Sequence, residues 1–181
     1  MINTKPESKT FSYDYVASED VTQEEMFQIV GSPMAKACRD GFNGTIICYG
    51  QTGTGKSYTT FGPADSSFNM IDNTERGLVP RVFEFLFSMN NSDNMVIDGV
   101  GRTELIAKCS FYEIYQEKIY DLLNMSNNDS LQVREDHKLG VFVDGIKEEV
   151  VTSSAEAFNL LTVGYSNRHV GATSMNRESS R

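Results

Sequence analysis

Residues Gly50-Gln51-Thr52-Gly53-Thr54-Gly55-Lys56-Ser57 satisfy the pattern G-x-x-x-x-G-K-[ST], and no other feature restricts so strongly what this chain can fold into. The pattern works only with a strand before it and a helix after it. The glycine-rich turn must aim successive main-chain N–H groups at one point, and the helix start adds its own donors. Thr45-Ile46-Ile47-Cys48-Tyr49, a short β-branched and apolar run, reads as a buried, parallel strand that leads directly into Gly50. A chance Gly/Thr-rich surface turn would not sit between two such elements.

Each fixed residue of the pattern has a physical task. The glycines let the backbone turn its N–H groups inward and approach phosphates without a Cβ in the way. Lys56 brings a flexible point charge to the β- and γ-phosphates, and the Ser57 hydroxyl is a ligand for Mg²⁺. The residues by themselves thus predict triphosphate binding, with Gly50, Gln51, Thr52, Gly53, Thr54, Gly55, Lys56 and Ser57 as the cradle.

Charge limits the partners. The 181 residues carry 25 acidic and 16 basic side chains, a net charge of −9, so bulk attraction to nucleic acid or to an anionic membrane is not expected. A triphosphate site survives this imbalance, because backbone dipoles and one lysine make it. The charge is also uneven: residues 157–181 hold Arg168, Arg177 and Arg181 against Glu178 alone, which marks the C-terminal end as anion-seeking. With 39% hydrophobic residues the chain suffices for one core-bearing domain, at the usual ~150 residues per domain.

Cys38, Cys48 and Cys109 are odd in number and widely spaced, which suggests neither a disulfide framework nor a zinc site and fits a reducing, cytoplasmic compartment. The opening residues lack the apolar run of a signal peptide, and no stretch approaches ~18 consecutive apolar residues.

Local signals divide the chain into alternating elements. Thr22-x-x-Glu25 is a capping box ahead of a helix that carries Phe27, Val30, Met34, Ala37 and Cys38 and stops at Gly41. Gly31 and Pro33 predict an early interruption, with the well-formed part starting at Ser32. Residues 65–76 read as a polar loop and 78–89 as a helix with Pro80 near its start. Residues 103–115 alternate as a strand, with Leu105, Ala107, Cys109 and Phe111 on one face; residues 131–151 give two or three short strands that turn at Gly140 and Gly145. Ser153-x-x-Glu156 caps a helix that runs to about Asn167. Such alternation favours an α/β layered architecture.

A working NTPase also needs an acidic metal partner and a sensor for the γ-phosphate. Asp98, after Met95-Val96-Ile97, resembles the end of a Walker-B strand only weakly, because polar residues flank so short an apolar run. His137 and His169 are lone histidines without catalytic partners in the sequence.

The motifs around the phosphate loop resemble those of the kinesin motor domain. Phe42-Asn43-Gly44-Thr45-Ile46 through Lys56-Ser57-Tyr58-Thr59 is followed in the family's order by Arg76-Gly77-Leu78-Val79-Pro80-Arg81. Ser110-Phe111-Tyr112-Glu113-Ile114-Tyr115 through Asp121-Leu122-Leu123, Ser166-Asn167-Arg168-His169-Val170 and Asn176-Arg177-Glu178-Ser179-Ser180-Arg181 complete the series from about Phe11 onward. Val141-Phe142-Val143 and Met175-Asn176-Arg177-Glu178 look most like the kinesin-twelve branch, a spindle and cell-plate group.

The resemblance implies a P-loop NTPase with a layered sheet and helices on both faces, using ATP and Mg²⁺ as a microtubule-stimulated ATPase. It implies that Tyr58 lies against the adenine and that a first switch begins at about residue 176. There Ser179 and Ser180 would approach the γ-phosphate, Ser180 joining Ser57 on the metal, while Arg181 forms a salt bridge to a second switch. Residues 131–151 match a lobe that touches tubulin, which makes Arg134, Lys138 and Lys147 candidate microtubule contacts. The same comparison predicts an incomplete fold: residues 1–181 as a partial motor domain, without the second switch, the main tubulin-binding loops or a stalk through which a homo-oligomer would form. Two other readings stay open from the residues, a non-catalytic nucleotide-binding protein acting through a partner and another P-loop NTPase that uses Asp98 for its metal.

Overall fold

The computed structural model describes residues 9–63, 74–92, 106–124 and 129–168. Helix formation starts where the first capping box puts it. The Thr22 hydroxyl accepts the Glu25 N–H at 3.2 Å, and the Glu25 carboxylate accepts the Thr22 N–H at 2.8 Å. Helix α1 (Gln23–Met26) then passes through a π-helical turn (Phe27–Gly31) into α2 (Ser32–Arg39).

The interruption expected at Gly31 and Pro33 is this π-helical turn, and the regular α-helix starts at Ser32 as expected, with Pro33 in its first turn. The Ser32 N–H donates to the Phe27 carbonyl, one residue further back than in an α-helix. This wider turn lies directly before Pro33, which has no N–H to offer, so the chain stays helical across the change of ladder. The helix ends as predicted at Gly41, whose φ of 94° only glycine adopts without strain. The Gly41 N–H returns to Cys38 and the Phe42 N–H to Ala37, which satisfies the last carbonyls in a Schellman motif.

The segment 45–49 corrects a second expectation. It forms no strand and joins no strand pairing among the described residues, and Ile47 and Tyr49 are exposed rather than buried. A β-branched run prefers extended backbone on its own, whereas burial requires a neighbouring strand.

Helix α3 (Lys56–Phe61) follows the phosphate loop, and α4 (Leu78–Ser92) follows the loop after it. The predicted strand over 103–115 divides, among the described residues, into β1 (Ala107–Cys109) and β2 (Tyr112–Tyr115), which belong to different pairs. Its alternation holds where it is described: Ala107, Cys109 and Phe111 are half-buried, while Lys108 and Ser110 are exposed. Strand β2 turns at Gln116 and Glu117, both at positive φ, into β3 (Lys118–Asp121). Strands β4 (Gln132–Asp136) and β5 (Gly140–Asp144) form a hairpin, and β6 (Glu149–Val151) returns to pair with β1. All three pairings are antiparallel, and Gly140 and Gly145 take the positive φ expected of turn residues.

Helix α5 (Ser154–Ser166) begins at the second cap, in shifted form. The Ser153 hydroxyl accepts the Glu156 N–H, while Glu156 reaches back to the Thr152 N–H at 2.7 Å instead of that of Ser153. The core gathers Phe87 of α4, Val151 of β6 and Ala157 of α5, with Ala107 and Cys109 of β1 packed against them. Burial pushes the Cys109 thiol up from its ordinary pKa. Close packing continues at Gly164, where a Cβ would collide with the Phe111 ring. Among the described residues no helix is long and apolar enough to cross a membrane.

Candidate functional site

The phosphate loop turns on two residues in the left-handed region, Gly53 at φ 84° and Gly55 at φ 91°. Side chains rarely tolerate that backbone, and at both positions the place a Cβ would take has nothing within 4 Å. The space beside these two residues is free of other protein atoms. The Thr54 hydroxyl closes the turn from outside, donating to the Gln51 carbonyl at 2.8 Å.

Lys56, the first residue of α3, folds back over the loop. Its Nζ donates to the carbonyls of Gly50 at 2.9 Å and Gln51 at 2.8 Å. These neutral acceptors hold the ammonium at the mouth of the turn, where an anion would be the stronger partner. Ser57 is exposed beside it, and Tyr58 is also exposed. Behind the loop, the Thr60 hydroxyl donates to the Lys56 carbonyl at 2.8 Å and approaches Cys48 Sγ at 3.2 Å, tying α3 to the segment that enters the loop.

The eight predicted cradle positions, Gly50 to Ser57, and Tyr58 therefore lie together on one loop and the first turn of one helix. Ser179, Ser180 and Arg181 lie outside the described residues, as do Asp98 and His169. His137 is exposed in the turn of the β4–β5 hairpin. Among the described residues no group of three or more His, Cys, Asp or Glu could hold a metal ion.

Of the basic candidates, Arg134 is exposed on β4 and paired with Asp144 at 2.7 Å. Lys138 is exposed in the hairpin turn. Lys147 is more constrained: its N–H donates to Asp121, and its Nζ pairs with Glu149 at 2.6 Å.

Two residues that the sequence gave no reason to single out hold the site from behind. Gln23 Nε2 donates to the Tyr58 carbonyl at 2.6 Å. Arg81, 6% exposed, joins Glu24 to the carbonyls of Thr74 and Arg76. Only the capping box beside Gln23 and the position of Arg81 in a family motif were visible beforehand.

The kinesin motor domain family model matches residues 1–181. The chain belongs to the kinesin motor domain family. The match includes the residues before Phe11, beyond the reach of the motifs read from the sequence. Human kinesin-like protein KIF15 is 49% identical over 180 residues, 99% of this chain and 13% of that protein. The Strongylocentrotus purpuratus kinesin-like protein KIF15 is 48% identical over 181 residues, 100% of this chain and 12% of that protein. Arabidopsis thaliana kinesin-like protein KIN-12B is 44% identical over 174 residues, 96% of this chain and 13% of that protein, consistent with the kinesin-twelve branch.

Solved structures agree on the fold. A fast kinesin superimposes with a TM-score of 0.73 at 35% identity, over 93% of this chain and 44% of that one. KIF14 with ADP in complex with a microtubule gives 0.69 at 32% identity, over 88% and 42%. This kinesin chain thus spans about an eighth of the length of its curated relatives and under half of these two solved chains.

Proposed function

We propose that these residues form the ATP-binding portion of a microtubule-based motor that couples ATP hydrolysis to movement along microtubules. The observation that carries the reading is Lys56 bonded to two carbonyls of a glycine-rich loop, in a chain of the kinesin family. The relative solved with ADP on a microtubule supports an adenine nucleotide in this loop and a microtubule as partner.

In this reading Lys56 exchanges its carbonyl partners for the β- and γ-phosphate oxygens, and the N–H groups of residues 50–57 complete the cradle. Tyr58 lies against the adenine. The exposed Ser57 hydroxyl suits a hard cation, so Ser57 together with Ser180 would hold Mg²⁺, which when bound neutralises charge on the phosphate oxygens. Ser179 and Arg181 sense the γ-phosphate, Arg181 by a salt bridge to a second switch. Water attacks the γ-phosphorus in line as the bond to the ADP oxygen breaks, and the protein acts by positioning and charge stabilisation. Arg134, Lys138 and Lys147 lie on the lobe that would face tubulin, which places the protein on the microtubule cytoskeleton.

Lys56→Ala tests the reading. In the full-length protein it removes microtubule-stimulated ATP turnover and leaves the circular dichroism spectrum unchanged, because Lys56 bonds only to its own loop. Normal stimulated turnover in that variant would refute the role given to Lys56.

A further inference from the structure

The first two residues of α1 reach the far end of the phosphate-loop helix by separate routes. Gln23 is 8% exposed, and its Nε2 donates to the Tyr58 carbonyl, the same oxygen that accepts the Gly62 N–H at 2.9 Å. Glu24 pairs with buried Arg81, whose other donors take the carbonyls of Thr74 at 2.7 Å and Arg76 at 3.0 Å. This anchors the turn ahead of Gly77, and the Gly77 N–H donates to the Phe61 carbonyl at 3.1 Å.

Helix α3 has six residues, fewer than two turns, so its own hydrogen-bond ladder gives it little stiffness. It nevertheless carries Lys56, Ser57 and Tyr58. Its direction therefore depends on what grips its C-terminal half: the Phe61 ring meets Tyr165 edge-on and Thr60 reaches Cys48 Sγ, while two polar grips come from adjacent residues of α1.

We propose that Gln23 and Glu24 are positioning residues for nucleotide retention: they brace the C-terminal end of α3 and so keep Lys56, Ser57 and Tyr58 in register with the phosphate loop. The inference rests on the nucleotide-binding reading above. Both residues act through the backbone of α3, Gln23 directly and Glu24 through Arg81 and the turn at residues 74–77.

The test is the dissociation rate of a fluorescent ADP from the full chain, measured for the wild type, Gln23→Met, Glu24→Gln and Lys56→Ala, with melting temperature and amide hydrogen exchange alongside. Methionine keeps the length and the packing of Gln23 but has no donor. Gln23→Met is expected to raise the rate about tenfold, the equivalent of one lost buried hydrogen bond. Glu24→Gln, which keeps a hydrogen bond to Arg81 and loses the charge, is expected to raise it about threefold. Both variants are expected to speed exchange at the Gly62 and Gly77 amides.

An unchanged dissociation rate in Gln23→Met, despite faster exchange or a lower melting temperature, overturns the proposal by reducing the brace to a structural role. If Gln23→Met does not fold, Glu24→Gln decides on the same criterion. Retention by the wild type, lost in Lys56→Ala yet unaltered in both brace variants, overturns the inference alone. A wild-type chain that retains no ADP overturns the nucleotide-binding reading and the inference with it.

Discussion

The carboxylate of Asp121 accepts the main-chain N–H of Lys147 at 2.7 Å, joining the end of β3 to the segment that enters β6. Its other oxygen accepts the Leu123 N–H at 2.8 Å. Asp121 is only 7% exposed, so water cannot readily replace either bond. Asp121→Ala leaves two inward N–H groups without an acceptor, each worth about 1–3 kcal/mol, and a loss of about 3 kcal/mol is expected. Asp121→Asn, which keeps one acceptor oxygen, is expected to lose about half as much. Chemical denaturation checks both, and a loss under about 1 kcal/mol in the alanine variant would contradict this account.

Gly77 presents a different constraint, one of space rather than backbone angle. A Cβ there would lie 2.6 Å from the Thr60 carbonyl carbon and oxygen and from the Phe61 nitrogen. These are backbone atoms at the end of α3 and cannot rotate away. Gly77→Ala is therefore expected to cost about 3 kcal/mol, the upper part of the range for overpacking. A melting temperature equal to the wild type's would show that the two segments separate freely.

Two exposed carboxylates set an acid limit. Hydrogen bonds from the Thr22 N–H and hydroxyl hold Glu25 below its ordinary 4.5, and the N–H groups of Lys138 and Leu139 hold Asp136 below 3.8. Both folded values are depressed, so the stabilisation is complete above the unfolded values and disappears as pH falls through the folded ones. The part of the melting temperature due to these groups is expected to stay level from neutral pH to about 5 and to decline below it. Glu25→Gln removes one titrating group, so its melting curve is expected to vary less with pH in the acid range. Parallel curves for variant and wild type would exclude Glu25 as a contributor.

What could be read from the sequence was local. The phosphate loop, both capping boxes, the stop at Gly41 and the turns at Gly140 and Gly145 depend on a few consecutive residues and their allowed backbone angles. Gly31 and Pro33 marked the start of the regular helix at Ser32, but not that the interruption before it is a π-turn. The run 45–49 has the composition of a buried strand, yet composition does not supply the neighbour that would bury it.

The brace behind α3 was invisible for a related reason. Gln23 meets Tyr58 across 35 residues, and Arg81 meets Glu24 across 57. Nothing in the spacing of such residues distinguishes them from an ordinary helix start and an ordinary surface arginine. The glycine-rich loop was therefore legible, while the residues bonded behind it appeared only in three dimensions.

Arg134 offers a prediction in the direction of gain. Its guanidinium is engaged by Asp144 at 2.7 Å, with both side chains exposed on the β4–β5 hairpin. An exposed pair of this kind contributes at most about 1 kcal/mol to stability, so its removal leaves the hairpin folded. Asp144→Asn removes the competing carboxylate, adds one unit of positive charge to the face and releases Arg134 toward an acidic partner. If this hairpin faces tubulin as proposed, the variant is expected to bind microtubules about threefold more tightly at low salt, with the advantage fading as salt screens the exchanged charge. Co-sedimentation of the full-length protein across a salt series measures this. An affinity equal to or weaker than the wild type's at low salt would remove Arg134 from the filament-facing surface.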